Sequence, residues 1–315
     1  MIIKKTDKIY LAGHTGLVGK AVFKKLKEKG FKKIIVRKKK QLDLKNQKKT
    51  FQFLNKIKPK IVIICAAKVG GIKANNNKRA DFLIDNLEIQ NNLIHGSFKN
   101  RVKNLIFLGS SCVYPSNISK PINEEMLLKG PLEKTNEPYA IAKIAGIKLC
   151  QSFNKQYKTN YRCLMPCNIF GLSDNYNLDS SHFIPAILKK FFLASKNNKI
   201  VKLWGTGNVL REVMYADDLA DAIVFFMNKK TNHMIINIGT NIEKTIKEFT
   251  KSIIKTLELK IKVKFNNDKR LNGVMRKKLD LSLAKKYGWK YKTSFDDAIR
   301  FTYNDLIRNY KKQKH

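Results

Sequence analysis

The sequence predicts an α/β fold: a doubly wound parallel sheet followed by a smaller, mixed α/β region. Short apolar runs alternate with helix-length amphipathic segments in the first half, a glycine-rich stretch follows the first run, and the second half is less regular. Parallel strands need crossover connections, so strands that alternate with helices indicate a parallel sheet. With 315 residues, 43% of them hydrophobic, the chain can bury the cores of two domains.

The individual elements follow from apolar spacing and breaker residues. Brief β-branched runs predict buried strands at Lys8–Ala12, Lys33–Val36, Ile61–Ala66, Leu105–Gly109 and Arg162–Pro166. Helical spacing predicts helices at Gly16–Lys29, Gln47–Ile57, Phe82–Asn100 and Tyr139–Lys158. Further along we expect a helix at Phe183–Ala194, a strand at Ile200–Trp204, and helices at Asp217–Met227 and Thr245–Lys255, with Asp217 and Thr245 as caps.

The chain is strongly basic, with 64 Lys and Arg against 24 Asp and Glu and a formal net charge of +40. Such a charge raises nucleic acid as a partner. However, only nine of the basic residues are Arg, the side chain that phosphate forks and base edges favour, and the lysines are spread over the whole chain. We therefore interpret the lysines as solvated surface residues and do not expect a nucleic-acid partner, although a polyanion-binding surface stays open as the alternative.

The cysteines and the apolar runs indicate a cytoplasmic setting. Five cysteines are too few and too scattered for a disulfide framework, and Cys163 and Cys167 lack metal-ligand spacing, so no metal is expected. The longest apolar runs, such as Ile61–Ala67, are far shorter than a membrane span, and Met1–Lys8 is too charged for a secretory signal. We expect no membrane association.

A glycine-rich turn follows the first predicted strand and precedes the first predicted helix. Its spacing, GxxGxxG, is related to the GxGxxG pattern of Rossmann-type sheets, where glycines allow backbone N–H groups and a helix N-terminus to approach a pyrophosphate. A turn selected only for close packing is the alternative. The predicted cofactor-binding stretch is Gly13, His14, Thr15, Gly16, Leu17, Val18 and Gly19.

The end of the second strand indicates which dinucleotide binds. An NAD site usually carries Asp or Glu there to accept from the ribose hydroxyl. Here the strand ends in Arg37 and Lys38, whose cations suit the additional phosphate of NADP. We therefore predict NADPH as the cofactor, although chance placement in so lysine-rich a chain is the alternative.

A tyrosine and a lysine one helical turn apart supply a candidate proton donor. Tyr139 and Lys143 lie at i and i+4, on one face of the predicted helix. At about 4–6 Å and an effective dielectric near 20, the cation would favour the phenolate by about 3–4 kcal/mol. We therefore expect Lys143 to lower the pKa of Tyr139 toward neutrality, so that the tyrosine exchanges a proton with a carbonyl or alcohol oxygen.

With the serine-rich end of the fourth strand, these features resemble the extended short-chain dehydrogenase/reductases that act on nucleotide sugars. Within them, Ala66–Ile72, Leu108–Pro115 and Asn136–Cys150 look like the GDP-L-fucose synthase family, and the resemblance extends from about Ile9 to Trp289. The resemblance implies NADPH-dependent conversion of GDP-4-keto-6-deoxy-D-mannose to GDP-L-fucose, by C3/C5 epimerisation and then reduction of the C4 ketone.

The resemblance also implies roles for particular residues. The catalytic set would be Ser110, Cys112, Tyr139, Lys143 and His182, with Cys112 and His182 as the acid and base of epimerisation. Further cofactor contacts would come from Leu108, Gly109, Ser110, Ser111, Lys143, Pro166, Cys167, Asn168, Ile169 and His182. The GDP-sugar would be held by Lys190, Trp204, Arg211 and Asp280, with Lys190 standing where the family commonly has Arg. Cys112 as a small buried hydrophobe, His182 as a loop residue and Trp204 as a core residue remain the alternatives.

The predicted division gives residues 1–170 and about 212–240 to NADP, and about 171–211 and 241–315 to the GDP-sugar. Apolar outer positions on the helices Phe82–Asn100 and Tyr139–Lys158 predict a homodimer, since related enzymes pair these helices. Two other functions stay open: an extended reductase or 4-epimerase of another nucleotide sugar, and a catalytically dead NADP- or RNA-binding protein.

Overall fold

The computed structural model describes residues 2–195, 200–268 and 273–312. Its strands are β1 (Lys8–Ala12), β2 (Lys33–Ile35), β3 (Ile61–Ile64), β4 (Asn104–Leu108), β5 (Asn160–Pro166), β6 (Asn168–Phe170), β7 (Val201–Leu203), β8 (Leu210–Tyr215), β9 (Ile235–Ile238), β10 (Glu243–Thr245) and β11 (Val263–Phe265). Six of them form one sheet in the order β2-β1-β3-β4-β5-β9, with every neighbouring pair parallel. The predicted doubly wound parallel sheet is confirmed.

The helices cover both faces of this sheet. They are α1 (Leu17–Glu28), α2 (Gln47–Ile57), α3 (Ile72–Asn77), α4 (Arg79–Lys99), α5 (Glu137–Tyr157), α6 (Phe183–Ser195), α7 (Ala216–Asn228), α8 (Ile246–Thr256), α9 (Ser282–Lys286) and α10 (Phe295–Lys312). The pairs α4–α5, α2–α4 and α1–α7 pack together. Within the described ranges, no helix has the length and apolar character needed to cross a bilayer.

Two predicted helix caps have opposite outcomes. Thr245 caps α8 as predicted, in a capping box: its hydroxyl accepts from the Glu248 N–H, and the Glu248 carboxylate accepts from the Thr245 N–H. The prediction for Asp217 is wrong, because α7 begins after Tyr215 and Asp217 lies in its first turn. There the Asp217 carboxylate accepts from Lys24 Nζ at 2.8 Å, so an ion pair with α1 replaces the cap.

The strand order places a crevice at the carboxyl end of β1. From β1 the chain crosses to β2 on one side, whereas β3 lies on the other side and leads toward β9. Loops at such a switch point diverge, and this is where ligands bind to open α/β sheets. The glycine-rich turn follows β1 and therefore lies in this crevice.

A second core lies beside the sheet. The strands β10-β8-β6 form a small sheet and β11 pairs with β7, and these elements pack with α6, α8 and α10 around a separate hydrophobic cluster. β8 contributes to both cores, since Met214 belongs to the first cluster while Val213 and Tyr215 belong to the second. This alternation follows from the two-residue period of a strand. The predicted domain boundaries remain a prediction.

Candidate active site

The turn after β1 requires glycine at two positions. Gly13 has φ +86°, and a Cβ there would lie 2.5 Å from the backbone N of Ala66. A Cβ on Gly19 would lie 2.0 Å from the carbonyl oxygen of Gly13. α1 follows directly, and its N-cap Gly16 gives no side-chain cap to the first turn. Backbone N–H groups at an uncapped helix start therefore face the crevice, which fits the pyrophosphate of a dinucleotide.

Two cations, Arg37 and Lys38, follow the end of β2. The Arg37 guanidinium lies 5.2 Å from the ring centroid of Phe53, and its Nη1 donates to the Val36 carbonyl at 2.8 Å. Burial lowers the pKa of His14, and the neighbouring Lys38 cation lowers it further. Lys38 is thus close enough to act on a residue of the glycine turn. A phosphate placed here would be neutralised from the β2 side.

The end of β4 and the start of α5 bring together Ser110, Tyr139 and Lys143. The Ser110 side chain accepts from the Cys112 N–H at 3.2 Å and lies close enough to Tyr139 to lower the pKa of that phenol. The Lys143 ammonium lies 5.9 Å from the Tyr139 ring centroid, donates to the Leu108 carbonyl at 2.8 Å, and is only 3% exposed. The predicted one-face arrangement is therefore present, in a buried recess.

The predicted effect of Lys143 on Tyr139 is wrong for the protein alone. Burial raises the pKa of Tyr139 well above its usual value, nearby Cys112 raises it further, and the Ser110 hydrogen bond only partly opposes this. Burial also lowers the pKa of Lys143 to about 8. The Coulomb argument from the sequence left out desolvation, which penalises the charged form of each partner. Tyr139 is consequently a protonated phenol at neutral pH.

Cys112 lies in the same recess and has polar neighbours on two sides. Its sulfur is 3.4 Å from Asn136 Nδ2 and 3.8 Å from Lys277 Nζ. Electrostatic interaction with Cys112 raises the pKa of Tyr139 and partly offsets the lowered pKa of Arg211. This contradicts the alternative of Cys112 as an apolar filler, because its neighbours are hydrogen-bond donors and cations.

Asn136 and Lys277 were absent from the predicted site residues. The sequence could have indicated Asn136, because it is the first residue of the family-like segment that contains Tyr139. In the structure its Oδ1 is buried without a hydrogen-bond partner. No sequence feature could have indicated Lys277, because a single lysine in so lysine-rich a chain does not stand out. Only the fold brings it to Cys112, 165 residues away in the chain.

His182 lies on a loop that docks at the carboxyl end of β3. The Gly71 N–H donates to the Ser180 carbonyl at 2.9 Å, and a Cβ on Gly71 would lie 2.5 Å from the Ser181 carbonyl oxygen. The imidazole is solvent-exposed, yet it lies in a recess where the surrounding protein lowers its pKa by desolvation. His182 therefore sits on the same edge of the sheet as the glycine turn.

The segments after β4 and β5 line this same edge. Leu108 ends β4, and a Cβ on Gly109 would lie 2.3 Å from the Met165 sulfur. After Pro166, the Cys167 N–H donates to the Ile238 carbonyl at 3.0 Å, and Asn168 Nδ2 donates to the Glu212 carbonyl at 2.9 Å. Of the remaining predicted contacts, Ser111 begins a short 3₁₀ turn and Ile169 lies in β6. Their predicted cofactor contacts stay predictions.

The predicted substrate residues fall into separate groups. Lys190 Nζ lies 5.2 Å from the Trp204 ring centroid, and Trp204 is 48% exposed, so it is not a core residue. Arg211 Nη1 donates to the Leu210 and Val274 carbonyls at 2.8 and 2.6 Å. The Asp280 carboxylate accepts from the backbone and hydroxyl of Ser282, at the start of α9. Of these four predicted substrate residues, Arg211 is the one whose pKa is affected by Cys112.

A glycine turn at the switch point of a parallel sheet, with Ser110 after β4 and Tyr139 and Lys143 at the start of α5, defines a dinucleotide-dependent α/β enzyme. The chain belongs to the NAD dependent epimerase/dehydratase family, which it matches over residues 9–239.

Individual relatives are similar over nearly the whole chain. A putative GDP-L-fucose synthase 2 of Arabidopsis thaliana is 43% identical over 314 residues, covering 99% of this chain and 95% of that protein. A GDP-6-OMe-4-keto-L-xylo-heptose reductase of C. jejuni superposes with a TM-score of 0.91 at 34% identity, covering 99% of this chain and 100% of that one. A GDP-L-fucose synthetase of Naegleria fowleri bound to NADP gives a TM-score of 0.90 at 28% identity, covering 99% and 96%.

Proposed function

We propose that the protein converts GDP-4-keto-6-deoxy-D-mannose to GDP-L-fucose with NADPH, by epimerisation at C3 and C5 and reduction at C4. The observation that carries this proposal is Cys112, an ionisable thiol in the recess that also holds Ser110 and Tyr139. A simple ketone reductase needs only the Ser/Tyr/Lys set, whereas epimerisation needs an additional base and acid. The similarity to the A. thaliana protein supports the same substrate.

The reduction uses the three residues at the end of β4 and the start of α5. Bound NADPH supplies the hydride. Tyr139 donates its phenolic proton to the C4 oxygen, and Ser110 hydrogen-bonds that oxygen. The raised pKa of Tyr139 suits ketone reduction, in which the phenol donates a proton. It keeps the proton on the phenol until negative charge develops on the substrate oxygen. Lys143 holds the nicotinamide ribose and supports the phenolate as it forms.

The epimerisation uses Cys112 and His182. The C4 ketone acidifies the C–H bonds at C3 and C5, because each carbanion is an enolate. Cys112 takes the proton from one face and His182 returns a proton to the other. Asn136 Nδ2 and Lys277 Nζ contact the Cys112 sulfur at 3.4 and 3.8 Å, and these polar contacts support the assignment of Cys112 as the base.

The cofactor and the nucleotide use opposite sides of the crevice. The glycine turn, with Arg37 and Lys38, fits the NADP pyrophosphate and the additional phosphate, and similarity to the NADP-bound N. fowleri protein supports that cofactor. In this proposal, residues 1–170 and about 212–240 hold NADP. Residues about 171–211 and 241–315 hold GDP, through Lys190, Trp204, Arg211 and Asp280.

We also propose a cytoplasmic homodimer. Ile84 on α4 and Ile141 on α5 are 54% and 44% exposed, and these two helices pack against each other. Apolar side chains on adjacent helices form a surface that a second copy can cover. Light scattering tests this: we expect a dimer at micromolar concentration, and a monomer would contradict it.

A second candidate is reduction of another GDP-4-keto sugar. The similarity to the C. jejuni GDP-6-OMe-4-keto-L-xylo-heptose reductase, with its TM-score of 0.91, favours this candidate over a UDP-sugar enzyme. It differs from the first proposal in the sugar, not in the roles of Ser110 and Tyr139.

The test is to mix protein, NADPH and GDP-4-keto-6-deoxy-D-mannose, follow loss of NADPH absorbance and identify the product by NMR. We expect GDP-L-fucose from the wild type. Cys112→Ser should lose deuterium uptake at C3 and C5 in D₂O while it still binds NADPH. A reduced but unepimerised sugar from the wild type would favour the second candidate, and no NADPH oxidation on any nucleotide sugar, with salt-sensitive RNA binding, would favour the inactive alternative.

A further inference from the structure

Lys277 is a buried cation next to the candidate base. Its side chain is only 8% exposed, and Nζ lies 3.8 Å from the Cys112 sulfur. A buried ammonium is costly unless a charged or strongly polar partner satisfies it. Among the residues that the structure describes, no carboxylate lies within ion-pair distance of Lys277. The nearby group that can become its anionic partner is the Cys112 thiolate.

The segment that carries Lys277 is fixed on both sides. Arg276 pairs with the Glu243 carboxylate, with Nε 3.1 and 2.9 Å from the two oxygens, and also donates to the Ser119 carbonyl. The Leu279 N–H donates to the buried Glu212 carboxylate at 3.0 Å. The backbone is therefore anchored on both sides of Lys277, which fixes the point from which its side chain reaches Cys112.

The other groups around Cys112 do not replace this cation. Tyr139 is a neutral phenol. Arg211 interacts electrostatically with Cys112, but its Nη1 is bonded to two backbone carbonyls. Asn136 donates a neutral hydrogen bond. Lys277 thus places a full positive charge 3.8 Å from the sulfur, in addition to the polar contact of Asn136 and the electrostatic interaction of Arg211 with the same group.

We propose that Lys277 is a positioning residue whose ammonium fixes the Cys112 sulfur in the recess and stabilises negative charge that forms on it. This inference rests on the proposed epimerisation. In that step a C–H bond at C3 or C5 breaks, an S–H bond forms, and the electron pair moves through the enolate to the C4 oxygen. As His182 protonates the opposite face, the electron pair returns from the C4 oxygen to form the new C–H bond. The thiol then loses its proton to water and His182 regains one from water, so both groups are restored.

The first test needs no substrate, since only the thiolate reacts rapidly with iodoacetamide. Labelling of Cys112 is followed by mass spectrometry at neutral pH, with Cys112→Ser to identify the labelled position. We expect Lys277→Met to slow labelling about tenfold or more, and Lys277→Arg, which keeps the charge, to stay within about threefold of wild type. Lys120→Met removes an exposed charge and should leave the rate unchanged.

The second test measures uptake of deuterium at C3 and C5 of GDP-4-keto-6-deoxy-D-mannose in D₂O. Lys277→Met should lower kcat for exchange about tenfold while NADPH affinity and thermal stability are retained, and Lys277→Arg should restore exchange. Equal labelling rates in wild type and Lys277→Met would overturn the inference. Fast labelling that depends on Lys277, but without exchange by the wild type, would overturn the proposed function and leave the Lys277–Cys112 interaction standing.

Discussion

Replacing Lys143 with Met should stabilise the protein at neutral pH while it removes activity. Lys143 is 3% exposed, and burial lowers its pKa from 10.5 to about 8. The folded state therefore disfavours the charged lysine, whereas the unfolded chain accepts it. Methionine fills a similar volume and carries no charge to desolvate.

The structure sets the size of this effect. At 1.36 kcal/mol per pKa unit, the lowered pKa of Lys143 costs about 3 kcal/mol of folding free energy below pH 8. Lys143→Met also loses the 2.8 Å hydrogen bond to the Leu108 carbonyl, worth about 1 kcal/mol. The variant should gain about 2 kcal/mol at pH 7. Between pH 8 and 10.5 the unfolded chain binds more protons, so wild-type stability rises relative to the variant and the gain disappears.

Urea unfolding of cofactor-free protein at pH 7 and pH 10.5 measures the difference. We expect Lys143→Met to be more stable at pH 7 and less stable by about 1 kcal/mol at pH 10.5. Lys148→Met, an exposed position of α5, is the matched control and should differ little at either pH. A Lys143→Met variant that is less stable at pH 7, or shows the same difference at both pH values, would refute the reasoning.

Three further predictions concern the cofactor crevice and a helix start. Gly19→Ala should lower NADPH affinity at least about tenfold, because its Cβ would lie 2.0 Å from the Gly13 carbonyl oxygen; unchanged fluorescence titration would contradict the assigned turn. Arg37→Ala should reduce the kcat/KM preference for NADPH over NADH about tenfold, and an unchanged preference would assign the phosphate elsewhere. Thr245→Ala should cost about 1 kcal/mol in urea unfolding through loss of its capping box with Glu248, with NADPH affinity unchanged; no loss of stability would show that the cap contributes nothing.

Local patterns were sufficient for most of the main sheet and for the Tyr139–Lys143 pair. Apolar runs identified five of the six strands of that sheet to within a few residues, whereas β9 (Ile235–Ile238) was not predicted. The i,i+4 spacing of Tyr139 and Lys143 put both on one face of α5. These predictions succeeded because they depend on steric and hydrogen-bonding rules that act over a few neighbouring residues.

The charge states of the site depended on the tertiary structure. Spacing predicted attraction between Lys143 and the Tyr139 phenolate, but the fold buries both residues, and the pKa of Tyr139 rises while that of Lys143 falls. Desolvation depends on how many protein atoms surround a group, and a linear pattern carries no information about that. In the same way, the sequence pattern could not show that Asp217 pairs with Lys24 on α1 instead of capping α7.

By itself, the sequence determined an α/β chain with a glycine turn after the first strand, followed by a serine-rich strand end with Cys112 and by the Tyr139–Lys143 pair. Only the tertiary structure decided that the order β2-β1-β3-β4-β5-β9 opens a crevice at that turn and that Lys277 lies 3.8 Å from the Cys112 sulfur. The physical reason is separation along the chain. Contacts across 165 residues are set by how the two cores pack, and a lysine acquires its role only from the group it is buried against.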